Sequence, residues 1–236
     1  MGVMMKYTVS DIRNKSMTKG KKDSAKNDII AFYIGRPLSY LLTIPCLYLK
    51  IQPNTVSFVS LFFPIMAFIS AYIAQNFLGY LMSWVFLFIW NLLDGVDGNI
   101  ARYTKNFSKI GSLWDATSGY FAMFFTYSTF GLLAYKETEI VDYLILGFLS
   151  GMACIMPRLI MHKKLNESNE KNNELKDKAH YSLMKVIALN LTSVSGGAQF
   201  LALIALLIGM IQLYTGVYFF FNTVIMVISM YKLLRV

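Results

Sequence analysis

Apolar residues run along this chain in long blocks set apart by short polar or basic stretches, and the blocks have the length of membrane crossings. Gln52-Pro53-Asn54-Thr55 opens the first block, with Pro placed as at a helix start, and it continues to about residue 75. Further blocks cover about 77–103, 112–134, 139–162, 190–212 and 215–234, so the pattern predicts an all-α polytopic membrane protein with six transmembrane helices, the first at 53–75. Ser195-Gly196-Gly197 is read as a packing or bending point in the fifth, and Tyr214-Thr215-Gly216 as the turn into the sixth. Ahead of the spans, 29–51 is apolar but broken by Arg36-Pro37 and Pro45. Its Phe32, Tyr33, Tyr40 and Tyr48, with Arg36 and Lys50, suit a helix lying in the membrane interface, the alternative being a first true span. Residues 1–28 read as a mobile basic cytoplasmic tail over anionic headgroups, and 29–236 as a single membrane domain. The stretch Lys163 to Lys178 alternates charges with Asn and Ser and reads as a solvated loop or short helix.

Composition agrees with that picture and narrows it. Of 236 residues 56% are hydrophobic and 15% charged, and the mean hydropathy is +0.50, too apolar for a soluble domain of this size. The net charge of +9 could suggest nucleic acid, but the cations flank apolar blocks, which speaks for topology and attraction to anionic lipid instead. Basic clusters fall at the N-terminus, at Arg102, Lys105 and Lys109, at Arg158, Lys163 and Lys164, and at Lys232 and Arg235. With six spans all of these lie on one side, which predicts that both termini are cytoplasmic. Met1 to Asn27 has no apolar core or cleavage site of a secretory signal. Cys46 and Cys154 sit in apolar runs and read as small packing residues.

Candidate chemistry is concentrated between Asp94 and Gly119. Asp94, Asp97 and Asp115 lie in or at the edge of apolar runs, where a charge is expensive and needs a partner. Asp94 and Asp97 are three apart, and Gly98, Ala101 and Arg102 continue the same helical face. Beyond a polar turn, Gly111 and Asp115 sit four apart, so a second helix can bring its own carboxylate to the first pair. Oxygen donors from two helices suit a hard divalent cation such as Mg2+ or Mn2+, and the absence of nearby His or Cys in the sequence disfavours zinc. Metal and Arg102 together suit a diphosphate reached from the cytoplasm.

The pattern D-x-x-D-G-x-x-A-R, eight residues, then G-x-x-x-D resembles the hallmark of the CDP-alcohol phosphotransferases (CDP-alcohol phosphatidyltransferases), integral membrane enzymes of phospholipid synthesis. Asp94, Asp97, Gly98, Ala101, Arg102, Gly111 and Asp115 match it in order and spacing, but Gly119 stands where the family has a fourth aspartate. The resemblance implies that Asp94, Asp97 and Asp115 bind metal. It also implies that Gly98 and Ala101 leave room for the cytidine diphosphate, that Arg102 lies near its phosphates, and that Gly111 allows close helix approach. It favours the interfacial reading of 29–51, places Asn54 near the nucleotide, relates Arg158 loosely to an acceptor pocket, and implies a homodimer. The implied reaction moves a substituted phosphate from a CDP-linked donor to an alcohol acceptor with release of CMP. The fourth aspartate is the family's general base, a role Gly119 cannot fill. Three readings stay open: a base from elsewhere or an undemanding acceptor, a slow or inactive member that binds nucleotide or lipid, or an introduced substitution. A small cation transporter is a rival from another class, but it would string polar residues through several spans toward both faces.

Overall fold

The structure, a computed structural model, describes residues 7–17, 25–167 and 183–235, and the described residues form helices and connections without strands. Most of the basic tail and residues 168–178 of the charged stretch lie outside the described residues; residues 163–167 belong to a helix. The first helix, α1 (Val9–Ser16), falls where the hydrophobic pattern placed no element. Thr8 caps it by accepting from Asp11 N at 3.2 Å, and Ile12, with 0% exposure, is buried beneath it. The expectation of a mobile tail is therefore corrected at Val9–Ser16. One short apolar anchor is too little for a periodicity signal but enough for docking once a groove exists.

Next come a π-helical turn at Ala31–Gly35 and α2 (Arg36–Tyr48). The i→i−5 bond from Arg36 N to Ala31 O falls next to Pro37, which has no N–H for an ordinary helical bond. α2 lays Tyr40, Thr43 and Leu47 against the bundle. The first long apolar block is one run, Pro53–Ile73, divided at Leu61 into α3 (Pro53–Ser60) and α4 (Phe62–Ile73). The cause is Pro64, which cannot donate to the carbonyl of Ser60. α5 (Phe77–Thr104) is capped by Asn76, whose side chain accepts from Gly79 N, and ends at Lys105 in the left-handed region. α6 (Lys109–Thr138) is capped by Ser108 and ends at left-handed Glu139.

α7 (Val141–Glu167), α8 (Leu183–Thr192), α9 (Gly197–Leu207) and α10 (Ile211–Leu234) complete the bundle. The predicted bend at Ser195-Gly196-Gly197 coincides with the break between α8 and α9. The predicted turn at Tyr214-Thr215-Gly216 is displaced: the chain reverses before Ile211, at Gly209 with φ 69°, while Tyr214 and Thr215 are buried inside α10. Gly209 supplies the positive φ that the reversal needs, whereas Gly216 is simply tolerated in a helix.

Four of these helical segments are long and apolar enough to cross a membrane: Pro53–Ile73, Phe77–Thr104, Val141–Lys164 and Ile211–Leu234. α6 is long, with 30 residues, but rich in Ser, Thr and Tyr, while α9 is apolar but has only 11. The polar residues of α6 explain the difference, because Thr126, Tyr127, Ser128 and Thr129 are all buried in the bundle rather than turned to lipid. α6 and α7 make the most extensive pairing, and α7 packs in turn on α10. The main core joins Leu87, Trp90, Tyr127, Phe130, Tyr214 and Tyr218. A second core, Ile12, Tyr40, Leu47, Val56, Val96 and Ile100, fastens α1, α2 and α3 to the end of α5 that carries the motif.

Candidate active site

The C-terminal half of α5 and the first turns of α6 face each other across a cavity of about 490 Å3. Asp94, Asp97, Gly98, Ala101 and Arg102 from α5, and Gly111 and Asp115 from α6, all line it, so both halves of the motif meet at one place. Asp94 lies within electrostatic reach of Asp97, Asp115 and Arg102, and within hydrogen-bonding reach of Asp115. Asp97, only 6% exposed, accepts from Ser57 Oγ at 2.5 Å, which fixes the carboxylate against α3. Carboxylates packed this closely repel unless a positive charge or a proton lies among them.

The surrounding contacts hold the face in place. Asn99, 2% exposed, donates from Nδ2 to Ser39 Oγ at 3.1 Å and to Thr43 Oγ1 at 3.2 Å, tying α5 to α2, and accepts from Arg102 Nη2 at 3.2 Å. The guanidinium of Arg102 lies over Gly98. At the other wall, Asn54 accepts from Ser108 Oγ at 3.0 Å, and Gly111 stands so close to Asn54 Oδ1 that a side chain there would collide with it. The Pro53-Asn54 start of α3 is thereby joined to the start of α6.

Not every anticipated residue arrives here. Arg158 is exposed on α7, near Tyr120, and does not line the cavity. Gly119 lies one turn beyond Asp115 with no atom within 4 Å of a β-carbon built on it. Conversely, the cavity wall includes Arg36, Ser39, Ser57, Asn91 and Ser195, none of which the sequence reading had assigned to the site. Asn91 could have been found, since it sits one turn before Asp94 on the same helix. Ser195 could not: it is brought in by the link between α8 and α9, where Asn91 Nδ2 donates to Ser195 O at 2.7 Å and to Gln199 Oε1 at 2.9 Å.

Among the described residues no group of three or more His, Cys, Asp or Glu side chains is placed to hold a metal ion by itself. The aspartates instead edge an open, all-oxygen set, with neither His nor Cys on the cavity wall. Its donor chemistry suits a hard divalent cation that keeps several waters and takes one or two carboxylates together with substrate phosphate oxygens.

No curated protein sequence matches the chain. A sequence profile of the CDP-alcohol phosphatidyltransferase family matches residues 50–231, a range containing α3 and α4 and the whole carboxylate face. With most of the chain matched and its motif gathered at one cavity, the protein belongs to the CDP-alcohol phosphatidyltransferase family, whose members transfer a phosphoalcohol group from a CDP-alcohol to an acceptor.

Proposed function

We propose that this protein moves a substituted phosphate from a CDP-linked donor, CDP-diacylglycerol in our reading, to an alcohol acceptor with release of CMP. The observation that carries the reading is the meeting of Asp94, Asp97 and Asp115 with Arg102 around one cavity. Asp94, Asp97 and Asp115 would hold Mg2+ or Mn2+, which supplies neutralisation of the diphosphate and of charge on the departing nucleotide. Ser57 orients Asp97, while Arg102 presents a planar fork to phosphate oxygens. Gly98, Ala101 and Gly111 keep the wall low where the nucleotide would lie, beside Asn54. Asn91 and Ser195, at the side of Asp94, offer hydrogen bonds to an acceptor hydroxyl; Arg158 remains a candidate only for a longer acceptor reaching α7. In this reading α6 and the α8–α9 pair complete six crossings, α2 lies in the interface, and the cavity and both termini face the cytoplasm.

Gly119 favours a second reading, an impaired member that binds donor without turnover, because nothing occupies the space where the family places a base. The test is CMP release from CDP-diacylglycerol with a panel of alcohols, run on the protein beside Asp97→Ala and Gly119→Asp. Release by the unmodified protein that Asp97→Ala abolishes supports the transferase. If a general base is what is missing, Gly119→Asp raises the rate by about 10² to 10⁴. Release seen only in Gly119→Asp selects the impaired reading, none in any variant overturns the transferase, and failure of the protein to bind CDP-diacylglycerol overturns both.

A further inference from the structure

A second cavity, of about 240 Å3, lies between α1 and the segment 32–40. Its wall is almost wholly apolar, formed by Val9, Phe32, Tyr33 and Tyr40 with Arg13 and Arg36 among the residues that border it. Among the described residues neither arginine is in an ion pair; the pair on α1 is Lys15 with Asp11. Arg36 reaches Met17 Sδ at 3.9 Å, a weak acceptor. Two arginines bordering an oily slot match an anion with a hydrocarbon arm, the anion at the border and the arm inside. A free nucleotide would leave the apolar wall unmatched, and a zwitterionic lipid would bring an ammonium of its own toward the two arginines.

We propose that this slot binds one anionic phospholipid, its phosphate on Arg13 and Arg36 and the start of an acyl chain along Val9, Phe32 and Tyr40. Arg36 also lines the carboxylate cavity and lies within electrostatic reach of Arg102, so the lipid phosphate would share an arginine that borders the donor site. Membrane charge is thereby linked to the electrostatics of that site. The inference does not depend on which reaction the cavity performs.

The test is native mass spectrometry of the full chain released from nanodiscs of phosphatidylcholine mixed with phosphatidylglycerol, with no nucleotide added. The protein is expected to retain phosphatidylglycerol over phosphatidylcholine. Arg13→Gln, remote from the carboxylate cavity, is expected to reduce that preference about tenfold. Val9→Trp, which fills the slot, should reduce retention similarly, and Arg13→Lys should restore most of it. Equal retention of both lipids overturns the proposal, as does retention unchanged by Arg13→Gln and Val9→Trp. Failure of Arg13→Lys to rescue also overturns it, because charge is then not the cause. So does absence of any retained lipid, the result expected if the chain itself closes the slot.

Discussion

The Arg102 guanidinium stands so near Gly98 that an added β-carbon would lie 2.8 Å from Nη2 and 2.9 Å from Nη1. The obstacle is the tip of a flexible side chain, so Gly98→Val displaces the fork without breaking the helix. The expected outcome is a thermal midpoint close to that of the unmodified protein and affinity for CDP lowered about tenfold or more, read by calorimetry. Gly119 is the opposite case, with open space around it, which is why Gly119→Asp tests chemistry rather than packing. At this scale the spacing of the aspartates picked out three residues that line one cavity. It did not name Ser57 or Asn99's partners Ser39 and Thr43, because those contacts join positions 40 and 56–60 residues apart that share no periodic signal.

Between elements, α6 and α7 approach closely through a pair of glycines. A β-carbon on Gly131 would lie 2.6 Å from the Cα of Gly147, and one on Gly147 would lie 2.7 Å from the Cα of Gly131. Backbone meets backbone there, and nothing can rotate away. Gly147→Val is therefore expected to force the helices apart at a cost of about 1–3 kcal/mol or more, measured as a lowered unfolding midpoint in detergent. α1 depends on a different force. Its Asp11 accepts from Tyr103 Oη at 2.5 Å and pairs with Lys15, and these bonds, that from Tyr103 first, hold its carboxyl below the usual range; Lys15 is raised by Tyr103 and Asp11. A depressed carboxyl contributes stability above its unfolded value near 4 and loses it as pH falls through the folded one. The raised lysine contributes fully below its ordinary value near 10.5. Docking of α1 should thus be flat from about pH 5 to 9 and weaken under acid below about pH 4. Hydrogen exchange at Val9–Ser16, corrected for intrinsic rates, would show it, and protection unchanged down to pH 2 would refute it.

For the molecule as a whole, polar groups are drawn into the interior of the bundle, with the middle of α6 buried among its neighbours. From α10, Thr215 Oγ1 donates to Phe130 O of α6 at 3.4 Å and Asn222 Nδ2 to Ser150 Oγ of α7 at 2.9 Å, so these two polar groups find partners on neighbouring helices, whereas Ser128 Oγ of α6 donates within its own helix, to Phe124 O. At the far end of α5 and α6 from the carboxylates, Lys136 Nζ donates to the carbonyls of Ala71, Tyr72 and Ala74, closing the C-terminus of α4 with a cation. A six-crossing arrangement puts this end and the cavity end on opposite faces. Single cysteines at Asn76 and Asn106, in a background with Cys46 and Cys154 replaced, should therefore react with a membrane-impermeant maleimide from opposite sides of sealed vesicles. Labelling of both from one side would refute the arrangement.

Apolar block length determined that the chain is helical and membrane-bound, and the D-x-x-D and G-x-x-x-D spacings determined the family and which aspartates could share a helix face, because helical periodicity is local and needs no partner to be read. Contact between distant segments is what the sequence could not supply. Docking of α1 through Ile12, the entry of Arg36 and Ser195 into the carboxylate cavity, the placing of Arg158 outside it, and the burial of α6's hydroxyls were decided only in three dimensions. Each depends on which faces of separate helices meet, and that is set by packing of the whole bundle rather than by any one stretch.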